Sequence, residues 1–285
     1  MFTALIPGAI GIRNHTLPEA IALAAATGFQ GVTFDVREAA RLAEEMGIEA
    51  VRALFTGAGV RPAYWGLPVA YRTGTLEREL EALPALARLA RDLGCPRATT
   101  GITPGSDDLT FADNMAWHLS RLQPIAAALA EAGCVLGIEF IGTPTYRAPF
   151  THEFIYSLAG LMDLIAQLSA GNVGVLLDSW HLYASGETLD AMDSLSARDV
   201  VVVHVNDAPP GIPIAKQIDT QRRLPMETGV IDLPGFMAKL RDIGYDGPVA
   251  PEPFDAALAE LGVRDPLAAA KQTAHSMREL QRIIE

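Results

Sequence analysis

Four apolar runs between residues 135 and 252 each finish on a side chain that can bind a cation or carry a proton. VLGIE ends on Glu139, VGVLLD on Asp178, VVVVH on His204 and PVAPE on Glu252. An unbroken run of valines suits a strand buried on both faces, where an isolated charge is costly. Three carboxylates gathered in one place beside an imidazole would repel one another and resist burial. A single divalent cation answers both difficulties. Mixed oxygen and nitrogen donors without a thiolate suit Mn²⁺, Mg²⁺ or Co²⁺, and Zn²⁺ also tolerates such a set. The expected cofactor is therefore one divalent metal ion held by Glu139, Asp178, His204 and Glu252. Taken singly, each residue has a plainer explanation. A strand-end histidine is often a hydrogen-bonded core residue, and a carboxylate there often caps the next helix. Four in succession favour a shared site, provided the strand registers aim them the same way.

The elements that would position these residues alternate along the chain. Thr16-Leu17-Pro18-Glu19 has the form of a capping box with proline in the first turn, opening a helix through AIALAAATGF. Gly28 closes that helix before the strand GVTFDV, and Gly94, Gly133, Gly171 and Gly244 occupy the same place before later strands. Strands are expected near residues 3–11, 31–36, 60–66, 96–102, 134–140, 173–178, 200–205 and 248–253, most of them separated by helical patterns. Strand–helix alternation of this kind implies a parallel sheet. Eight units in 285 residues favour a closed (β/α)₈ barrel, which places chemistry at the carboxyl ends of the strands. A doubly wound open sheet would carry a glycine-rich phosphate turn after an early strand, and the sequence has none. Without a linker or low-complexity segment, residues 1–285 read as one α/β domain.

Composition narrows the partners. The formal charge of −12 argues against a nucleic-acid backbone, which needs a basic footprint. No charged N-terminal segment leads into an apolar core, and no long apolar stretch is present. A cytoplasmic protein without a membrane partner is expected, with Cys95 and Cys134 as buried thiols.

LLDSWH (176–181), VVVHVNDAP (201–209) and RRLPMETGVIDLPGFMAKLRDIGYDGPVAPEPF (222–254) resemble the sugar phosphate isomerase/epimerase family of the xylose-isomerase-like barrels. The likeness is strongest from about residue 134 to 254, and over the first half only the order of elements agrees. The resemblance implies a Glu-Asp-His-Glu metal site on Glu139, Asp178, His204 and Glu252. In its ketose 3-epimerase branch the two glutamates, here Glu139 and Glu252, also shuttle a proton. The histidine of D-x-x-H, here His181, contacts substrate oxygens, and a homo-oligomer is implied as well. METGVID (226–232) departs from the glycine-glutamate-glycine that many relatives carry before VID, which leaves the role of Glu227 open.

The chemistry stands without the family. Removing a proton beside a carbonyl gives an enediolate, and a metal on both oxygens stabilises that anion. A carboxylate becomes a useful base when desolvation raises its pKa. Two carboxylates on opposite faces permit epimerisation, and one permits aldose–ketose isomerisation. The expected activity is thus isomerase or epimerase action on a small sugar, sugar phosphate or polyol. The same site could expel a β-hydroxyl, as inosose dehydratases do, or the barrel could bind a metabolite without catalysis. An apurinic endonuclease of the same superfamily would need further histidines, which YWG and TTGITP lack. His181, Trp180, Arg222, Arg223 and Arg147 are the candidate substrate contacts, each with a bland alternative: a helix-start residue, a packing indole, or a solvated loop cation. The long span from Val205 to Ile231 carries Lys216 and the two consecutive arginines, and His152 shares the loop of Arg147. Asp35 reads as a helix cap. His15, His118 and His275 are assigned no chemistry.

Overall fold

The computed structural model describes residues 1–284. Eight strands close into a barrel: β1 (Phe2–Leu5), β2 (Gly31–Phe34), β3 (Arg61–Gly66), β4 (Arg97–Gly101), β5 (Val135–Glu139), β6 (Val173–Asp178), β7 (Val200–Val205) and β8 (Pro248–Pro251). Each strand pairs with its sequence neighbours, β8 closes against β1, and every barrel ladder is parallel. This is the barrel expected from the alternation. The first strand is shorter than expected, since it stops at Leu5 and Pro7–Ile10 form a 3₁₀ turn. Pro7 brings no amide hydrogen to a ladder and fits the first position of a helical turn.

Two apolar layers explain the assembly. Inside the barrel, Phe2, Ala4, Tyr64, Leu176, Val202 and Ala250 fill one cluster. Outside it, helix residues such as Leu83, Leu122, Leu129 and Phe236 pack on the strands' outer faces. The capping box forms as read, with Thr16 accepting from the Glu19 amide and Glu19 reaching back to Thr16. Left-handed glycines end helical segments at Gly28, Gly94, Gly133 and Gly244, but not at Gly171. There the helix Leu158–Leu168 stops sooner, and Ser169 takes the left-handed conformation at φ 51°. Two short segments, Gly105–Ser106 and His152–Glu153, pair antiparallel and brace the loops after β4 and β5.

Candidate active site

Register decides whether the strand ends converge. Asp178 and His204 are direct partners across β6 and β7, His204 pairs with Ala250 on β8, and Glu139 pairs with Gly101 on β4. One donor atom from each of Glu139, Asp178, His204 and Glu252 lies within 4.8 Å of the others. That is close to the roughly 4 Å span of donors facing each other across one ion with bonds of about 2.1 Å. His204 Nδ1 sits 3.6 Å from Glu139 Oε1 and 3.5 Å from Glu252 Oε2. Glu139 Oε1 and His204 Nδ1 are both buried and without a hydrogen-bond partner. Buried polar atoms are seldom left so, because each costs about 1–3 kcal/mol. The cluster is a candidate metal-binding site.

Asp178 serves both of the purposes its sequence position allows. Its Oδ1 accepts from the Trp180 amide, capping the helix Ser179–Ser185, and from the side-chain amide of Asn206. Its Oδ2 faces the cluster and accepts from Arg222 at 2.9 Å. Asn206 also accepts from the Glu252 amide, so a single carboxamide ties the ends of β6 and β8 together.

Arg222 is the cation of the cluster and is 1% exposed. Its Nη1 donates to Asp178 and to Glu252 at 3.0 Å, and its Nη2 to Asp219 at 3.1 Å. The guanidinium lies 4.8 Å from the ring centroid of Phe254, whose backbone is left-handed at φ 40°. An aromatic residue enters that region at a cost, here compensated by a stacked cation. Four carboxylates, Glu139, Asp178, Asp219 and Glu252, against one guanidinium leave an excess of negative charge when both imidazoles are neutral, which a divalent ion would reduce.

The carrier of Arg222 is pinned at its base. Asp207 is fully buried and accepts from the amides of Ala208, Thr228, Gly229, Val230 and Ile231. Its backbone also exchanges two hydrogen bonds with Arg223. The chain is extended at that bridge, so consecutive side chains point opposite ways. Arg222 therefore turns inward, and Arg223 turns outward to Asp255 and Glu227.

His181 stands against the same carboxylates, its Nε2 3.9 Å from Asp178 and 4.0 Å from Glu139. The Gly142 amide points at its Nδ1 from 3.3 Å. Gly142 is needed there, because a Cβ would stand 2.1 Å from the His181 carbonyl oxygen. On the far side of His204, Tyr64 Oη lies 2.7 Å from Nε2.

The electrostatics separate the groups. Burial pushes the Glu139 carboxyl above the usual range; His204 partly opposes this and Glu252 adds to it. Burial pushes Glu252 the same way, but His204, Arg222 and His181 outweigh it and hold it below the usual range. For His204, burial favours the neutral ring, yet Tyr64, Glu252 and Glu139 together raise its pKa well above 6.5. Tyr64 is pushed up to about 12, chiefly by burial. The cavity beside these groups holds about 310 Å³ and is lined by Glu139, Glu252, His204, Tyr64 and the hydroxyl-bearing Thr33, Thr99 and Thr100, with Ile6 and Phe34.

Several expected contacts lie elsewhere. Trp180 does not reach the cavity; it is fully buried, donates to Thr143 and carries the Arg222 guanidinium 5.3 Å from its ring centroid. Arg223 is taken up by Asp255, and Arg147 pairs with Glu153 in the bracing loop while stacking on Tyr156. Glu227 accepts from the Leu224 amide, outside the cluster. Asp35 caps the helix Val36–Met46. Tyr64, Asn206 and Asp219 were not read from the sequence as site residues. Asn206 stood in the quoted HVNDAP motif, but nothing local marks Tyr64 or Asp219.

A closed parallel barrel with its polar cluster at the carboxyl ends of β5 to β8 defines the structural class. The chain belongs to the family described as xylose isomerase-like TIM barrel, whose model matches residues 21–282. An inosose isomerase of Bacillus licheniformis is 26% identical over 141 residues, half of this chain and 48% of that protein. A 3-dehydroshikimate dehydratase of Pseudomonas aeruginosa is 25% identical over 256 residues, 85% of this chain and 37% of that protein. The chain thus spans about half or less of the length of these curated relatives. A xylose isomerase domain protein from Alicyclobacillus acidocaldarius superposes with a TM-score of 0.86 at 29% identity, over 100% of this chain and 99% of that one. No helix among the described residues is long and apolar enough to cross a membrane.

Proposed function

We propose that the protein is a divalent-metal-dependent isomerase or epimerase that moves a proton on the carbon beside the carbonyl of a sugar or keto-polyol. The observation that carries this reading is the buried pair Glu139 Oε1 and His204 Nδ1, both unpartnered and converging with Asp178 and Glu252 on one point. Those four residues would hold the ion, which when bound supplies charge to polarise the carbonyl and stabilise the enediolate. Glu139, made more basic by burial, takes the proton. Glu252, kept ionised beside Arg222, serves as the second proton carrier and returns a proton where the product is an epimer. Arg222 holds Asp178 and Glu252 in place and offsets their repulsion. His181, buried beside Asp178 and Glu139 with Arg222 Nη2 3.3 Å from its Nε2, is read as the contact to a substrate oxygen.

A second reading, loss of water from a keto-polyol on the same residues, is favoured by the dehydratase match over 85% of the chain. One experiment serves both. Purified protein with added Mn²⁺ is incubated in heavy water with ketoses, keto-inositols and a keto-acid, and deuterium entry is followed by mass spectrometry. Exchange at the carbon beside the carbonyl is expected, accompanied by isomer or epimer formation. Exchange with loss of water would move the assignment to the lyase. Absence of exchange across the panel would overturn proton abstraction altogether.

A further inference from the structure

Tyr64 lies on the third strand, away from the four strand ends that supply the cluster, yet its hydroxyl touches the imidazole at the cluster's centre. The direction of that hydrogen bond follows from the other nitrogen. His204 Nδ1 faces Glu139 and Glu252 and has no hydrogen-bond partner of its own. If Nδ1 offers its lone pair to a cation, the ring proton must be on Nε2. If instead the ring carries both protons, Nε2 is again protonated. In both of these states, unlike the tautomer with its proton on Nδ1, Nε2 donates and the Tyr64 oxygen accepts, which leaves the hydroxyl hydrogen of Tyr64 to point elsewhere. The Tyr64 hydroxyl forms no other hydrogen bond among the described residues, and the side chain lines the cavity together with Glu139 and Glu252. The hydrogen is therefore free for a molecule in that cavity.

We propose that Tyr64 is a positioning residue for His204 and, resting on the function proposed above, a donor to a substrate oxygen. By accepting from Nε2 it fixes the ring so that Nδ1 is the atom presented to the cation. Its own hydrogen is then available within the cavity to a hydroxyl or carbonyl oxygen. An outer partner of a ligating histidine acts in this way on both tautomer and orientation.

Tyr64→Phe keeps the ring and removes only the oxygen. Titration calorimetry of the full chain with Mn²⁺ is expected to show affinity reduced by about 10–100-fold, the range for loss of such a partner. Unchanged affinity in a folded variant would overturn the proposal. Should the variant fail to fold, the unaltered protein provides the test. Long-range ¹⁵N spectra of histidine-labelled, Mg²⁺-loaded protein are expected to show His204 protonated at Nε2 and bare at Nδ1, and the opposite tautomer would overturn it. Where wild type supports exchange, the variant is expected to raise KM for the exchanging substrate, and an unchanged KM removes the donor role. Metal titration does not depend on turnover. Weakened metal binding with no exchange in wild type would therefore uphold the positioning role while defeating the proton-abstraction reading.

Discussion

Two buried imidazoles show how differently the barrel mouth and the helical layer behind it are built. His204 at the mouth and His118 in the helix Phe111–Glu131 are 4% and 1% exposed. Burial depresses both pKa values, yet the outcomes are opposite. His118 is surrounded by Trp117, Tyr71 and the stacked ring of Phe154, and its pKa falls to about 4. His204 meets two carboxylates and a tyrosine hydroxyl, and its pKa rises well above 6.5. The same layer pushes the Cys95 thiol up to about 12. Behind the mouth, groups are kept neutral; at the mouth, charge is concentrated and balanced. A desolvated site of this kind strengthens electrostatics at the expense of stability.

The contrast can be broken most decisively at Glu139. Glu139→Gln is expected to cut deuterium exchange by about 10²–10⁴-fold, the usual contribution of a general base. The melting temperature should stay level or rise, since a costly buried charge is removed. A variant that keeps full exchange but melts at a clearly lower temperature would show that Glu139 is structural. Next in size is Arg222→Met. It leaves Asp178 and Glu252 without their cation, which is expected to cost about 3–5 kcal/mol in chelator-treated protein, measured by urea denaturation. A loss near zero would mean that the carboxylates need no internal counter-charge.

The smallest expected effect sharpens the other side. The folded pKa of His118 near 4 lies below its ordinary 6.5, so the unfolded chain takes up the proton first as pH falls. The stability from keeping this ring neutral is present above about pH 6.5 and lost on acidification toward pH 4, a total of about 3 kcal/mol. His118→Phe should flatten that part of the acid limb in denaturation curves between pH 7 and 4. An acid limb identical to wild type would mean that the layer does not hold this ring neutral.

Much of this arrangement could be read from the chain because parallel strands buried on both faces appear as continuous apolar runs, and a polar residue at the end of such a run is conspicuous. Glu139, Asp178, His204 and Glu252 were visible for that reason. Tyr64 was not, because its partner His204 lies 140 residues away and a tyrosine beside a tryptophan reads as packing. The two arginines at 222 and 223 could not be told apart in sequence either. Only the bridge between Asp207 and Arg223 decides which of them turns inward. The sequence leaves Trp180 open between a pocket wall and a packing indole, and the helix begun at Ser179 decides for packing by carrying it back against Thr143. The first strand was drawn too long since its apolar character continues through Ile6–Ile10, where Pro7 redirects the backbone.

The five-amide clasp of Asp207 has one further consequence. With the stem of the excursion after β7 fastened on its own terms, the mostly exposed turn from Pro210 to Lys216 can lengthen, shorten or change composition while Asp219 keeps its hold on the arginine. This barrel therefore carries a ready graft point, where a new cover over the mouth could be tried while the chemistry beneath is left intact.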